Sequence, residues 1–338
     1  MCRRGGGGTV PPLRLWACRE QGRGGRMGKL VSVVTVFHNR ARHVAASVGS
    51  LLAQTHRELE IIVVDDGSTD DTSAELAKLR DPRLDVRVQA NVGFTVAVDR
   101  AARSARGEVI AIHGSGDFSS PTRVERQLAA LEANPKLAVV GCLVMDNAGV
   151  VRAPSGMLQV GQPMGFHDLL STYPMTHGEA MFRKPLFEKV GGYRHFFQLA
   201  QDFDLWLRMA EHGHFMTVPE ALYQRRQFDN SINTSIIKLM LQSHYGDFAA
   251  YCARVREAEG YDPLDRFGYA AALMAPKSKS LSRKLSSMGV TALLRGDQNG
   301  QLLIAAGYAA RRNPRSVAAL TFSWLQKQRF FSAIMDSK

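Results

Sequence analysis

Two adjacent carboxylates at the end of an apolar run are the feature of this chain with the clearest chemistry. Residues 60–72 read Glu-Ile-Ile-Val-Val-Asp-Asp-Gly-Ser-Thr-Asp-Asp-Thr, which places Asp65 and Asp66 directly before a Gly-Ser turn. An apolar run bounded by turn residues is typical of a buried strand in a parallel sheet. Open α/β sheets bind ligands at the carboxyl ends of their strands. We therefore expect this acidic pair to meet a cation or a ligand rich in hydrogen-bond donors.

The elements that position the pair alternate between strands and helices. Strands are predicted at Leu30–Phe37, Glu60–Val64, Leu84–Val88, Glu108–His113 and Leu137–Val144. Helices are predicted at Ala45–Ala53, Asp70–Leu79, Gly93–Ser104 and Pro121–Ala133. This alternation predicts an α/β fold with a doubly wound, mostly parallel sheet flanked by helices. Beyond about residue 150 the pattern indicates mainly helices, at Phe182–Val190, Phe203–His212, Ile232–Glu257 and over residues 277–338.

The basic charge of the chain lies at its two ends. The formal net charge is +12, of which residues 1–26 carry +5 and residues 277–338 carry +9, so that the segment between them is at −2. A nucleic-acid-binding central region is therefore not favoured, and we expect no nucleic acid partner. The four scattered cysteines have no metal or redox spacing. We expect a reduced, cytoplasmic setting.

Three regions are predicted from composition. Residues 1–27 contain a glycine run, a Pro-Pro pair and scattered arginines without the apolar core of a signal peptide, which indicates a disordered or misannotated leader. Met27, directly before the first strand, is an alternative start of translation. We expect a catalytic domain at residues 28–235 and a helical, basic C-terminal region at residues 236–338.

Several segments together resemble a known enzyme family. Val31–Arg40, Ser50–Thr55 and Ile61–Thr72 are similar to the start of a family 2 glycosyltransferase with the GT-A fold. Further matching segments follow in the same order: Asn91–Gly93, Ala105–Glu108, Arg123–Gln127, Asn134-Pro135, Met181–Lys184, Gly191–Tyr193 and Gln201–Arg208. The resemblance covers about residues 28–235. It implies a Rossmann-like sheet and an inverting transfer of a sugar from a nucleotide-sugar donor to a hydroxyl acceptor, in surface glycan or polysaccharide synthesis.

The resemblance also implies which residues bind the donor. Asp65 or Asp66 would contact the base, although Asp66 could instead cap the Gly67-Ser68 turn. The full set of implied donor-binding residues is Thr35, Phe37, Asn39, Asp65, Asp66, Asn91, Gly93, Ser115 and Asp117.

The family's metal-binding motif is incomplete in this chain. The resemblance leads one to expect Asp-x-Asp-Asp after the fourth strand, but the chain has Gly114-Ser115-Gly116-Asp117. Glycine cannot supply a carboxylate to Mg²⁺ or Mn²⁺, so a cation at Asp117 is in doubt. Three alternatives stay open: Asp117 holds the metal with the help of His113, an arginine or lysine neutralises the diphosphate instead, or the site is inactive. Asp117 could also cap the turn that follows it.

A general base is implied by the segment Gln201-Asp202, where glutamine replaces the family's usual glutamate. Asp202 retains the carboxylate that takes the proton of the acceptor hydroxyl, while helix N-capping is the alternative for this residue. His177 and Glu179 match a segment on the acceptor side. Arg225 and Arg226 match a late arginine position from which a guanidinium could bind the diphosphate.

The C-terminal region suggests a membrane partner. Val317–Ile334 carries apolar and basic residues that, with earlier basic residues, form a basic and aromatic surface: Leu320, Trp324, Lys327, Arg329, Phe330 and Phe331 together with Lys277, Lys279, Arg283, Lys284, Arg311 and Arg312. One interpretation is an interfacial helix on anionic lipid at the inner face of the membrane, near a lipid-linked acceptor. The other is a helix that packs its apolar side on the body of the protein.

Two rival functions accompany the transferase hypothesis. One is a catalytically degenerate homologue that binds a nucleotide-sugar or a glycan without turnover, which the two glycines of Gly114-Ser115-Gly116 motivate. The other is a polyanion binder that uses the basic ends of the chain and whose binding would depend strongly on salt.

Overall fold

A computed structural model describes residues 28–152, 160–173, 175–226, 236–297, 299–311 and 318–319. The strands of this part of the chain form one nine-stranded sheet. They are β1 Val31–Phe37, β2 Leu59–Asp66, β3 Leu84–Gln89, β4 Val109–Gly114, β5 Phe118–Ser119, β6 Leu137–Met145, β7 Val151–Arg152, β8 Met181–Arg183 and β9 His214–Gln224. The strand order is β3-β2-β1-β4-β8-β6-β9-β5, and β7 pairs with β6.

Helices cover both faces of the sheet and continue beyond it. They are α1 Val44–Leu52, α2 Thr72–Leu76, α3 Phe94–Ser104, α4 Arg123–Ala133, α5 Phe166–Ser171, α6 Lys184–Lys189, α7 Gln201–Ala210, α8 Ile236–Glu259, α9 Pro263–Phe267, α10 Ala271–Met274, α11 Lys279–Leu294 and α12 Gly300–Ala310. Within the described ranges, no helix is both long and apolar enough to cross a membrane.

The N-terminal half of the sheet is parallel, as the β-α alternation predicts. β3, β2, β1 and β4 run in the same direction. In the register of these strands, Phe37 lies beside Asp65 and Val36 beside Gly114. Since parallel strands end at the same edge of a sheet, the loops after β1, β2 and β4 meet there. The prediction of a mostly parallel α/β sheet flanked by helices is confirmed.

In the other half of the sheet, β6 agrees with the predicted strand, and β8 and β9 differ from the sequence prediction. Phe182, predicted to open a helix, lies in β8, a three-residue strand that runs antiparallel to both β4 and β6. The helix begins only at Lys184, with Pro185 in its first turn, where the missing N–H costs nothing. The sequence interpretation also missed β9, because a β-bulge opposite Cys142 interrupts the alternation of buried and exposed residues along this strand.

Two hydrophobic cores lie on opposite faces of the sheet. One is covered by α1 and α4, and it contains Phe37, Leu51 and Leu131. The other is covered by α3, α7 and α8, and it contains Trp206 and Phe248. Because α8 contributes to this second core, the first C-terminal helix is packed on the body of the protein. α11 and α12 pack against each other and against α8.

Two predictions concern segments outside the described residues. The leader at residues 1–27 is one of them. The other is the apolar and basic segment Val317–Ile334, of which only residues 318–319 are described. Both stay predictions.

Candidate functional site

The carboxylate of Asp66 fixes the loop that leads into α3. Its oxygens accept hydrogen bonds from the backbone N–H groups of Val92 and Gly93, both at 3.0 Å, and from Gln89 Nε2 at 2.7 Å. Its backbone carbonyl accepts a bond from Asn91 Nδ2 at 2.9 Å. Asp66 is buried. The carboxyl end of β2 is thereby joined to the predicted donor-binding residues Asn91 and Gly93.

Asp65 fixes the turn that directly follows the pair. Its carboxylate accepts hydrogen bonds from the N–H of Ser68, at 3.0 Å, and from Ser73 Oγ. Capping of the Gly67-Ser68 turn is thus performed by Asp65, whereas Asp66 caps the loop before α3. Both carboxylates are buried and have partners within the protein. Contact of either one with a base stays a prediction, and it would use lone pairs that remain beside these bonds.

The predicted donor residues of β1 lie at different depths. Phe37 is fully buried in the core beneath α1. The Thr35 hydroxyl is buried and has no hydrogen-bond partner among the described residues. Asn39 lies in the loop at the strand end with a positive φ of 53°, and its Oδ1 accepts a bond from the N–H of Thr69 at 2.8 Å. Of these three side chains, Asn39 is the one at the loop edge where Asp65 and Asp66 end β2.

Asp117 is folded back into the protein. Its carboxylate accepts hydrogen bonds from the Tyr223 hydroxyl at 2.5 Å and from the backbone N–H of Arg226 at 2.8 Å. Burial raises the pKa of Asp117 to about 6, against the opposing effect of these two donors. The sequence gives no direct sign of these contacts, because Tyr223 and Arg226 lie more than 100 positions away at the end of β9.

The turn before Asp117 is built around its two glycines. The N–H of Asp117 donates to the carbonyl of Gly114 at 3.0 Å. Gly116 has a positive φ of 94°, and its N–H donates to Ser47 Oγ on α1 at 3.1 Å. Ser115 is half-buried between them. The glycines therefore serve a tight turn that is held against the start of α1.

His113 organises the same turn as a neutral side chain. Its Nε2 lies 3.2 Å from the carbonyl oxygen of Asp117 and 3.0 Å from Ser47 Oγ, and its Nδ1 lies 3.1 Å from Ser119 Oγ. Because a carbonyl only accepts, the proton is placed on Nε2. Burial, with the nearby charge of Arg123, lowers the pKa of His113 to about 3. Both ring nitrogens have partners, so His113 does not offer a free ligand to a metal.

These residues do not fit a cation bound in the manner of an Asp-x-Asp motif. Among the residues that the structure describes, no group of three or more His, Cys, Asp or Glu side chains is placed to hold a metal. Gly114 and Gly116 contribute no carboxylate, and Asp117 is already bonded on both oxygens. At this turn the protein could offer a divalent cation one carboxylate at most.

Two arginines that follow β9 lie near the turn. Arg225 and Arg226 follow β9, and the charge of Arg225 acts on Asp117. Burial lowers the pKa of His43, and the charges of Arg226 and Arg42 lower it further. The end of β9 therefore places Arg225 and Arg226 near the Gly114–Asp117 turn.

Asp202 lies at the N-terminal end of α7. Its Oδ1 accepts a hydrogen bond from the N–H of Phe203 at 2.9 Å, and its Oδ2 accepts one from the Tyr173 hydroxyl. The preceding Ala200 is in the left-handed region, at φ 61° and ψ 25°, where a residue with a Cβ is strained. The carboxylate is thus placed by a constrained backbone and by two donors.

His177 lies between Tyr193 and the first residue of α3. Its Nε2 lies 2.6 Å from the Tyr193 hydroxyl, and its ring packs edge-on against Phe94 at 5.5 Å between ring centroids. Burial lowers the pKa of His177, and the negative charge of Asp202 opposes this shift. Phe94 is the first residue of α3 and directly follows Gly93, whose N–H is bound by Asp66.

Glu179 is fully buried behind this segment. Its carboxylate accepts hydrogen bonds from the N–H of Thr176, at 2.5 Å, and from the Thr176 hydroxyl. Its carbonyl accepts a bond from Gln127 Nε2 at 2.7 Å. Burial raises the pKa of Glu179 to about 7. The observed contacts hold the 176–179 turn in place, and a contact with the acceptor stays a prediction.

Several residues of the site were missed by the sequence interpretation. Tyr173 and Tyr223 each donate to a candidate carboxylate but carry no motif. Asp204 forms buried ion pairs with Arg194 and Arg208. The i, i+4 spacing of Asp204 and Arg208 on one helix is a signal that could have indicated their pairing.

The comparisons with known proteins agree with this architecture. Residues 32–191 match the family model named Glycosyl transferase family 2. The chain is 32% identical over 229 residues to "Putative glycosyltransferase EpsE" of Bacillus subtilis (strain 168), covering 62% of this chain and 81% of that protein. It is 30% identical to the chondroitin synthase of Escherichia coli, of which it spans only 31%. The chain belongs to glycosyl transferase family 2.

Solved structures of glycosyltransferases share the fold. Residues 1–349 of S. aureus TarS, in complex with UDP-GlcNAc, superpose with a TM-score of 0.56 at 15% identity, over 88% of this chain and 92% of that segment. The mannosyltransferase PcManGT from Pyrobaculum calidifontis, in complex with GDP-Man and Mn²⁺, gives 0.54 at 18% identity, over 90% of this chain and 86% of that one. The GT-A fold with a helical C-terminal region is thereby confirmed.

Proposed function

We propose that the protein is an inverting glycosyltransferase that moves a sugar from a nucleotide-sugar to a hydroxyl acceptor in surface glycan or polysaccharide synthesis. Asp202 takes the proton of the acceptor hydroxyl. The acceptor oxygen forms a bond to the anomeric carbon as the bond from that carbon to the diphosphate breaks, which leaves a nucleoside diphosphate. Family membership and relatives named as polysaccharide synthases support the class of reaction.

The observation that carries the proposal is the position of Asp202. Its carboxylate is mostly buried at the start of α7, is oriented by Tyr173, and lies close enough to His177 to influence the pKa of that imidazole. His177 contacts Phe94, directly after the Gly93 that Asp66 holds. His177 and Phe94 thus link the surroundings of the candidate base to the loop that Asp66 holds. An open α/β sheet binds its ligand at the carboxyl ends of its strands, which supports the proposal.

The arginines beside the Gly114–Asp117 turn are proposed to neutralise the leaving diphosphate. Because Asp117 is the single carboxylate of the turn, we assign the larger share of this role to Arg225 and Arg226. Guanidinium groups bind phosphate oxygens through two parallel hydrogen bonds. A divalent cation, Mg²⁺ or Mn²⁺, would be held by Asp117 and by the donor's own phosphates. PcManGT, which has the same fold, is in complex with GDP-Man and Mn²⁺.

The remaining assignments concern the two regions of the chain, the acceptor and the membrane. Residues 28–235 are proposed as the transferase domain and residues 236–338 as a helical region that serves the acceptor side. A glycan or a lipid-linked sugar is the proposed acceptor. Contact of the basic C-terminal region with an anionic membrane at its cytoplasmic face would bring the enzyme to such an acceptor.

One assay tests the proposal directly. The purified full-length chain is incubated with UDP- and GDP-sugars, with Mn²⁺ or Mg²⁺ and with EDTA, and the release of nucleoside diphosphate is measured. We expect release with at least one donor, increased by addition of an oligosaccharide or polyprenyl-linked acceptor. Donor binding without release under every condition would contradict turnover.

A catalytically degenerate binding protein is the second candidate. Two observations favour it. The carboxylate of Asp117 already accepts hydrogen bonds from Tyr223 and from the N–H of Arg226. Positions 114 and 116 are glycines, so no second acid completes a metal site at this turn. The carboxylate of Asp202, which two hydrogen bonds orient, favours an active transferase over a binding protein. The two candidates differ in turnover and agree on donor binding, so nucleotide release separates them.

A further inference from the structure

A cavity of about 320 Å³ lies on the Tyr173 side of the candidate base. One wall is formed by the segment that follows α5 and by the start of α7, and the opposite wall by α8 and α11. It is lined by Tyr173, Ala200, Phe203, Asp247, Arg254 and Lys284, among others. Its volume is at the lower end of the roughly 300–1,000 Å³ that small-molecule sites occupy. The C-terminal helices thus enclose a space beside the catalytic half.

The cavity is lined by two residues that donate hydrogen bonds to Asp202. Tyr173, which lines it, donates its hydroxyl to Asp202 Oδ2. The Tyr173 ring packs against that of Phe203 at 5.4 Å between centroids, and Phe203 donates its backbone N–H to Asp202 Oδ1. A molecule in the cavity would therefore touch the two residues that orient the base. Their aromatic rings offer the apolar surface on which a sugar ring can pack.

The charges that face the cavity are two cations and one anion. Arg254 lies on α8 and Lys284 on α11, while Asp247 on α8 accepts a hydrogen bond from Ser278 Oγ at 2.6 Å. Both cationic side chains are exposed at the cavity, whereas Asp247 is half-buried and already bonded to Ser278. Two cations against one anion leave an excess of one positive charge at the lining. The lining of the cavity therefore favours a ligand that carries one negative charge.

We propose that this cavity is an acceptor subsite that binds a sugar bearing a carboxylate or a phosphate, with Arg254 and Lys284 as its cationic partners. The inference rests on the proposed role of Asp202 as the base. It adds the chemical class of the acceptor and assigns a function to the C-terminal helices. Asp247 and Gln242 supply acceptors and donors for sugar hydroxyls.

The test measures binding and does not depend on turnover. Methyl β-glucuronide, glucose 6-phosphate and the neutral methyl β-glucoside are titrated into the full-length chain and followed by saturation-transfer NMR. We expect at least one anionic sugar to bind about tenfold more tightly than the neutral one, as one charge-assisted contact provides. Tighter binding of the glucuronide would indicate that the acceptor sugar carries a carboxylate. Tighter binding of glucose 6-phosphate would indicate that it carries a phosphate.

Three variants and a matched control locate the binding. Lys284→Gln and Arg254→Gln are each expected to weaken binding of the anionic sugar about tenfold. Gly246→Leu should block it without changing any charge, because Gly246 lines the cavity opposite Phe203. Arg283→Gln is the control, since Arg283 is exposed on the same helix and does not line the cavity.

The outcomes separate this inference from the proposed function. Equal binding of charged and neutral sugars, no binding of any probe, or an equal effect of Arg283→Gln and Lys284→Gln would overturn the subsite. Nucleotide release that persists in that case leaves the transferase proposal intact. Charge-dependent binding without nucleotide release from any donor would support the subsite and contradict turnover.

Discussion

The carboxylate of Asp117 lies directly over the Cα of Gly114. A Cβ added at position 114 would stand closer than 3.0 Å to Asp117 Oδ2 and 3.1 Å from the Tyr223 hydroxyl. Real Cβ atoms do not approach other atoms this closely, so the inward position of Asp117 requires glycine at position 114. Glycine at position 114, where the Asp-x-Asp-Asp motif has its first acid, and the inward position of Asp117, its last acid, therefore depend on each other.

Replacement of Gly114 by alanine is expected to destabilise the protein. The added Cβ displaces Asp117, which then loses its bonds to Tyr223 and to the N–H of Arg226. Overpacking of this kind costs about 1–3 kcal/mol in the free energy of unfolding. Urea denaturation followed by circular dichroism measures the change.

Gly49→Ala is the matched control for this substitution. Gly49 lies inside α1, and a Cβ there would meet no atom within 4 Å. Alanine in a helix interior is favoured over glycine by roughly 0.5–1 kcal/mol, so the control is expected to be slightly stabilised. If Gly114→Ala left the stability unchanged, Asp117 would not be held over this position.

Strands β1, β2, β3, β4 and β6 could be predicted from the sequence, whereas β8 and β9 could not. β1 and β2 are buried along their whole length and are rich in valine and isoleucine. β8 has only three residues, and β9 is bulged, so neither carries enough periodicity to be separated from helix or loop. Their places are set by pairing with β4 and β6, which are distant in sequence.

The candidate site, too, could be predicted only in part from the sequence. The types and order of Asp65, Asp66 and Asp202 could be recognised because each follows or begins a regular element. The partners of these groups could not, since Tyr173 donates to Asp202 across 29 positions and Tyr223 to Asp117 across 106. Sequence spacing indicates which side chains share an edge, whereas long-range packing determines which hydrogen bonds they form.

Asp202→Asn is expected to abolish most of the activity and to leave the fold intact. The amide oxygen can still accept one of the two hydrogen bonds to this side chain, but the amide cannot take a proton from the acceptor. Loss of a general base lowers kcat by about 10²–10⁴-fold. Nucleotide release at saturating donor and acceptor measures the loss, and the thermal unfolding midpoint checks the fold.

Asp204→Asn, two residues further along α7, should have the opposite profile. Burial alone would raise the pKa of Asp204, but Arg208 and Arg194 hold it below the ordinary value. Removing this carboxylate leaves Arg208 without its buried ion-pair partner, while Arg194 keeps its pair with Asp262. Breaking a buried pair costs about 3–5 kcal/mol of stability. Equal losses of stability in the two variants would mean that Asp202, too, is mainly structural.

Arg226→Gln is expected to slow the departure of the nucleoside diphosphate and to leave the position of Asp117 unchanged. The bond from position 226 to Asp117 comes from the backbone N–H, and the substitution leaves it in place. Loss of a preorganised charge contact lowers kcat by about 10²–10³-fold. Steady-state nucleotide release, measured with EDTA and with added Mn²⁺, gives the effect.

The control for this variant is Arg57→Gln, an exposed arginine in the loop before β2. It is expected to leave kcat unchanged. In EDTA, the parent protein should retain most of its activity because the arginines supply the positive charge. Complete loss of activity in EDTA, with full recovery in Mn²⁺, would mean that a metal held by Asp117, and not the arginines, neutralises the diphosphate.

Glu179 is expected to make stability fall as the pH rises. Burial raises the pKa of its carboxyl to about 7 in the folded protein, from an ordinary value of 4.5, so the folded state holds this proton more tightly than the unfolded state does. The contribution is fully present below about pH 4.5 and is lost as the pH rises through about 7.

Glu179→Gln removes this titration because the amide is neutral at every pH. The stability of the variant relative to the parent should therefore increase between about pH 4.5 and pH 7 and stay constant above that range. Urea denaturation at a series of pH values measures the difference. Asp81→Asn serves as the control, since the hydrogen bond from Arg83 lowers the pKa of Asp81 to about 2 and its effect should not change in this window. A constant difference between Glu179→Gln and the parent would mean that Glu179 is charged when folded.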